Sequence, residues 1–121
     1  MTNVYAVLVL SEIEYGFKVW MVNAKNEAVF GDGLADLLEE IGKRHSIVEA
    51  AKHLCMSYRY ALHRIVLAEK RLNKPLVNRS RGGSKGGGFS EVTDFGKELI
   101  FKYRNAQTEL NKLLKTLPKP T

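Results

Sequence analysis

The chain has 121 residues, with 19 Lys and Arg against 13 Asp and Glu, and a formal net charge of +6. That length accommodates one domain, or one domain with a long extension, and leaves little room for separate catalytic and regulatory domains. Hydrophobic residues make up 45% of the chain, enough for a packed core, which argues against wholesale disorder. No apolar run approaches the roughly 18 residues that span a bilayer. The longest, Val4 to Leu10, has no basic segment before it and no small-residue cleavage site after it, and reads as a strand rather than a signal peptide. A single cysteine, Cys55, excludes an intrachain disulfide framework and suits a reducing cytoplasm.

The charge is unevenly placed. Residues 1–42 hold two basic residues against seven acidic, residues 43–85 eleven against two, and residues 86–121 six against four. A basic middle between less basic flanks points to one face that meets a polyanion.

After Val4–Leu10, Phe17 to Val22 alternates in part and reads as a second strand. Asn23-Ala24-Lys25-Asn26 is a turn, Glu27 to Phe30 a short return strand, and Gly31-Asp32-Gly33 a break. A helix is predicted from about Leu34 to Lys43, because Leu34, Leu37, Leu38 and Ile41 share one face. Asp32 and Asp36 near its start serve the helix dipole. Ser46 with Glu49 forms a capping box for a short helix whose buried face is Ile47, Ala50, Ala51 and Leu54.

Cys55-Met56 makes a tight connection, with Cys55 expected to be buried in the turn. Ser57 caps a longer helix from about Tyr58 to Leu72. Ala61, Ile65, Ala68 and Leu72 face inward, while Arg59, Tyr60, His63 and Arg64 fall on or near the opposite face. Asn73-Lys74-Pro75 ends it. Leu76 to Arg79 and Phe89 to Val92 read as two strands around a loop with five glycines and two cations between Arg81 and Gly88. Thr93 caps a final helix to about Leu117. Its Leu99, Tyr103, Ala106, Leu110, Leu113 and Leu117 recur at heptad spacing. A helix of about 25 residues reaches roughly 37 Å, longer than so small a domain needs, so the distal leucines are assigned to a dimer contact. Phe95 and Leu99 are expected to pack on the chain's own core. Phe17 and Trp20 are expected to pack against a helix.

Short helix, tight turn and longer helix over residues 46–72, with Ala50-Ala51 where two helices must approach closely, is the helix-turn-helix pattern. Strand, basic loop and strand over residues 75–92 add a wing. The fold expected is therefore mostly α with small β (α+β): a winged helix-turn-helix with N-terminal strands over 1–33, helices over 34–72 and a dimerisation helix over 93–117, all within one domain of residues 1–121.

Such a helix must offer donors to base edges and phosphates from its exposed start. Tyr58, Arg59 and Tyr60 supply one guanidinium and two phenols there, and Ser57 lies at the N-terminus, whose N–H groups favour a phosphate. The remaining candidate DNA contacts are Arg64, Arg79, Arg81, Gly82, Gly83, Lys85 and Gly86.

Alternatives are weaker. His45, His53, Cys55 and His63 lack a common zinc spacing, and no metal or cofactor is expected. The glycine-rich stretch lacks the Gly-Lys-Ser/Thr order of a phosphate loop and precedes a strand. No paired carboxylates in an apolar setting and no Ser-His-Asp arrangement occur, so no catalytic site is expected. Three binding roles remain: a sequence-specific regulator, a low-specificity architectural DNA-binding protein, and a protein-interaction module.

Ala50-Ala51-Lys52, Met56 to Ala61, Pro75-Leu76-Val77, Gly82 to Gly88 and Thr93-x-x-Gly96-x-x-Leu99 follow in order. Together they resemble the N-terminal DNA-binding domain of the molybdate-responsive regulators, the ModE family, and more distantly the LysR-type regulators. The resemblance covers roughly residues 17–105. It implies a cytoplasmic, nucleoid-associated homodimer on double-stranded operator DNA. Ser57, Tyr58, Arg59 and Tyr60 map to the start of the recognition helix, and Gly82, Gly83, Lys85 and Gly86 to the wing. Two departures stand out: Ser84 separates the glycine pair from Lys85, and Leu62 stands where an aromatic residue is common. No oxyanion-binding module is expected before Thr121, so molybdate sensing is not carried over.

Overall fold

The computed structural model describes residues 13–80 and 88–120. They form β1 (Met21–Val22), β2 (Ala28–Phe30), α1 (Asp32–Arg44), α2 (Ile47–His53), α3 (Tyr58–Leu72), β3 (Val77–Ser80), β4 (Phe89–Val92) and α4 (Asp94–Thr116). This is the α+β layout of a winged helix: helices with two small antiparallel hairpin sheets. The chain divides into two compact units, one of residues 20–103 and one of residues 1–19 with 104–121. The expected strand Val4–Leu10 and the wing tip Arg81–Gly87 lie outside the described residues.

In the larger unit α1 is the central element, in contact with α2, α3 and β4. Leu34, Ala35, Leu37, Leu38 and Ile41 are all buried along it. Asp32 sits in its first turn and Lys43 and Arg44 in its last, each sign at the favoured end of the helix dipole. The expected face is correct. Helix α2 begins where Ser46 Oγ accepts the Glu49 N–H at 3.1 Å, and α3 where Ser57 Oγ accepts the Tyr60 N–H at 3.1 Å. Ala50, Ala51 and Ala61 are buried, and α2 packs on α3 across these small side chains. Leu54 and Leu72, expected to be buried, are only half-buried, because each stands at a helix end where packing on one side runs out.

The first hairpin is shorter than expected. Met21 pairs with Phe30 and Val22 with Ala28 around an irregular register, and Gly31 then leads into α1. Of the expected strand Phe17 to Val22, only Met21 and Val22 are strand. Asn23 organises the turn, with its Oδ1 accepting the N–H groups of Lys25 and Glu27 at 3.0 Å each. Trp20, expected to pack against a helix, is 60% exposed. With Phe30, Leu34, Arg64 and Leu67 it lines a cleft of about 120 Å³. Phe17 is exposed as well.

The second hairpin pairs Val77 with Val92 through to Ser80 with Phe89. Its exit into α4 is tightly tied. The Thr93 N–H donates to the Leu76 carbonyl at 2.9 Å, Thr93 Oγ1 donates to the Pro75 carbonyl at 2.8 Å, and the same Oγ1 accepts the Gly96 N–H at 3.0 Å. Gly96 is buried here. A Cβ on it would lie 2.8 Å from Val92 Cγ1 and 2.9 Å from the Leu76 carbonyl oxygen. Further along α4, Tyr103 is 1% exposed and meets the Phe30 ring edge-on at 5.4 Å. It belongs to the core of this unit and not to a free face of the heptad seam, because Phe30 on the first hairpin reaches it. Phe95 and Leu99 are half-buried, and Lys74 Nζ lies 4.9 Å from the Phe95 ring centroid.

In the smaller unit the distal part of α4 carries Ala106 and Leu110 half-buried and Leu113 56% exposed, and Leu117, just past the helix end, is 42% exposed. Tyr15, Leu114 and Leu117 line a shared cleft.

Gly96→Ala is expected to lower stability by about 1–3 kcal/mol through overpacking against backbone. Urea denaturation should show a lower midpoint with an unchanged slope, and an unchanged midpoint would contradict the close approach at this site.

Candidate nucleic-acid interface

Helices α2 and α3 are joined by Leu54 to Ser57. The Met56 N–H donates to the Ala51 carbonyl at 2.9 Å and the Cys55 N–H to the Lys52 carbonyl at 3.1 Å, which is a Schellman closure. Cys55 occupies its left-handed position at φ 57°. This position ordinarily favours glycine and lies at the surface, so Cys55 is exposed, not buried in the turn as expected. The closure ends α2 abruptly and lets Ser57 start α3 three residues later.

The first turn of α3 projects Tyr58, Arg59 and Tyr60, all exposed, beside the exposed Ser57. The Ser57 hydroxyl is occupied as an acceptor by the Tyr60 N–H. Among the described residues no carboxylate pairs with Arg59, Arg64 or Arg79, so these guanidinium groups are available to another partner. Arg59 is exposed, whereas Arg64 is half-buried in the wall of the Trp20 cleft, away from the start of the helix. Arg79 is exposed on β3, between Asn78 and Ser80, which are also exposed. The expected site residues Arg81, Gly82, Gly83, Lys85 and Gly86 lie outside the described residues.

The basic residues nearer the core behave differently. Arg71 donates to the Ala28 carbonyl at 2.8 Å and pairs with Glu27 at 3.7 Å, tying the end of α3 to the first hairpin. Arg44 Nε donates to Glu40 at 3.0 Å, and its Nη2 meets His53 Nδ1 at 2.8 Å, joining α1 to α2. The Arg44 hydrogen bond, aided by His53 and Lys43, holds the Glu40 carboxyl below its usual range. The Asn23 amide, with Arg71 and Lys25, does the same for Glu27. Part of the basic surplus is thus structural.

The three histidines separate. His45 stacks on Phe89 at 4.7 Å and its carbonyl accepts the Ser90 N–H at 3.0 Å, His53 serves the Arg44 cluster, and His63 is exposed on α3.

One residue that motif reasoning passed over orients the interface. Glu69, on the last turns of α3, accepts the N–H groups of Leu76 at 2.7 Å and Val77 at 3.3 Å. It thereby fixes the start of β3 to α3. The sequence signal was available: a lone carboxylate one turn before a loop that must satisfy buried amides.

No known protein-family model matches the chain. The chain is similar to ModE. Over 91 residues, 72% of its length, it is 36% identical to "Molybdenum transport protein ModE" of Azotobacter vinelandii. The matched part is 33% of that protein, so the chain spans about a third of its relative's length. This similarity supports the ModE relation that the ordered motifs imply. Among the described residues no helix is long and apolar enough to cross a membrane.

Glu69→Ala is expected to cost about 1–3 kcal/mol, since it strips the acceptor from the backbone amides of Leu76 and Val77, both buried. Urea denaturation measures the loss, and a stability within about 0.5 kcal/mol of the parent would remove Glu69 from this role.

Proposed function

We propose that the chain is a sequence-specific, double-stranded DNA-binding transcription regulator that acts as a homodimer, and a binding protein rather than an enzyme. The observation that carries this reading is the capped, exposed start of α3. There Tyr58, Arg59 and Tyr60 project together, and Arg59 has no carboxylate partner among the described residues. In this reading α3 enters the major groove. Arg59 reads guanine through paired hydrogen bonds to O6 and N7, and the phenols and Ser57 meet phosphate. Arg79 on β3, with Arg81 and Lys85 in the wing, neutralises backbone phosphates, while Gly82, Gly83 and Gly86 let the wing approach the backbone closely. Arg64, on the side of the helix, is assigned to a backbone phosphate. The similarity to ModE supports the same reading, and a cytoplasmic, nucleoid-associated location is proposed with it.

The homodimer forms through the distal seam of α4, where Leu110, Leu113 and Leu117 present apolar surface that supports a coiled-coil contact. Leu99 and Ala106 continue the same seam on either side of Tyr103, whose ring is held in the core. Two α3 helices then address half-sites about 34 Å apart on one face of the duplex.

Arg59→Ala is expected to cost about 1–3 kcal/mol on the selected site and to relax the preference there, while Lys85→Ala weakens all sequences and lowers the salt slope by about one. Selection from random DNA followed by salt-dependent titration tests both. Equal losses for Arg59→Ala on selected and random DNA, or no enriched consensus, would favour a low-specificity architectural protein instead.

Leu113→Glu combined with Leu117→Glu is expected to convert the dimer to a monomer in sedimentation equilibrium. A dimer that survives both changes would place the contact elsewhere.

A further inference from the structure

The surface of α3 opposite its core carries a narrow stripe. At 3.6 residues per turn, Arg59, His63, Val66 and Lys70 fall within about 60° of one another around the helix axis. The buried Ala61, Ile65 and Ala68 lie on the other side. All four stripe residues are exposed. Three are cationic or hydrogen-bonding. Val66 is the exception: an aliphatic residue, 45% exposed, in the middle of a polar, positively charged line. Its intrinsic helix propensity is below that of alanine, so nothing local to the helix calls for it. Its place on the stripe also keeps it out of the core.

We infer that Val66 is a specificity-determining residue that packs on the C5-methyl group of a thymine in the major groove. This inference rests on the DNA-binding reading of α3. Arg59 and Val66 are seven residues apart, or about 10 Å along the helix, which is roughly three base-pair steps. His63 lies between them. A helix that presents side chains at i, i+4 and i+7 to the groove reads successive base pairs, and the thymine methyl is the one apolar feature that base edges offer there. The charge at both ends of the stripe, Arg59 and Lys70, complements a polyanion and excludes an apolar protein groove as occupant. Each half-site therefore contains a guanine read by Arg59 and, about three steps away, a thymine read by Val66.

The test is a methyl-deletion scan on the duplex that the protein selects from random DNA. Each thymine is replaced in turn by deoxyuridine, which removes only the C5-methyl, and Kd is measured for the parent and for Val66→Ala. Val66 is exposed and alanine is the better helix former, so the variant keeps its fold. The parent is expected to lose about fourfold in affinity at one thymine per half-site, the ratio that burying one methyl-sized group gives. Val66→Ala is expected to bind the thymine and deoxyuridine duplexes equally at that position. Two outcomes overturn the inference alone: no thymine methyl affects the parent, or Val66→Ala keeps the full methyl dependence. If selection yields no consensus at all, the regulator reading falls and the inference falls with it.

Discussion

The three residues Pro75, Leu76 and Val77 are the junction on which the rest of the larger unit depends. Their backbone leaves α3 and must enter the wing with its polar groups satisfied inside the protein, because Leu76 and Val77 are buried. The Leu76 and Val77 amides go to the Glu69 carboxylate, the Leu76 carbonyl to the Thr93 N–H, and the Pro75 carbonyl to the Thr93 hydroxyl. One short segment thus ties together the end of α3, both strands of the wing and the start of α4. Glycine at 96 follows from the same knot, since the Leu76 carbonyl occupies the space that a Cβ would need. The exposed start of α3 and the exposed Arg79 on β3 therefore hold a defined relation, set by hydrogen bonds at the far end of the helix.

The second constraint is the approach of α2 to α3. Alanines at 50, 51 and 61 leave no side chain to hold the helices apart, and the left-handed turn at Cys55 lets the chain reverse within four residues. Burying this face leaves the opposite one to water. Arg59, His63, Val66 and Lys70 are presented together because the alanine and isoleucine side chains on the other side are fully taken up by the core. Charge is sorted in the same way. Arg44 and Arg71 are drawn into contacts with Glu40, His53, Glu27 and a backbone carbonyl, whereas Arg59 and Arg79 remain at the surface without a carboxylate partner among the described residues.

Much of this was legible in the residues. Ser46, Ser57 and Thr93 mark helix starts because a side-chain oxygen beside a first turn is a local device, independent of what packs around it. The strand Phe89–Val92 and the helix Tyr58–Leu72 were readable for the same reason: their periodicity and stop signals lie within the segment itself. The failures share one origin. The residue type of Cys55 points to the interior, but the backbone closure around it sets its exposure. The size of Trp20 points to packing on a helix, but the ring stays largely exposed beside Leu34 and Leu67. Tyr103 matched a heptad seam, but Phe30, more than seventy residues away, claimed it for the core. Glu69 drew no attention because its partners lie across the end of its own helix.

The sequence by itself determined the order of the helices, their caps, most of their inward faces and the block of positive charge, which depend on residues within about one helical turn. It also determined that the helix-turn-helix pair could close, through the small residues at its crossing. Only the tertiary structure decided which cations stay free, which apolar side chains remain outside the core and how the wing strand is fastened to α3. Those outcomes turn on distances between residues far apart in the chain, and periodicity along a single segment carries no information about them.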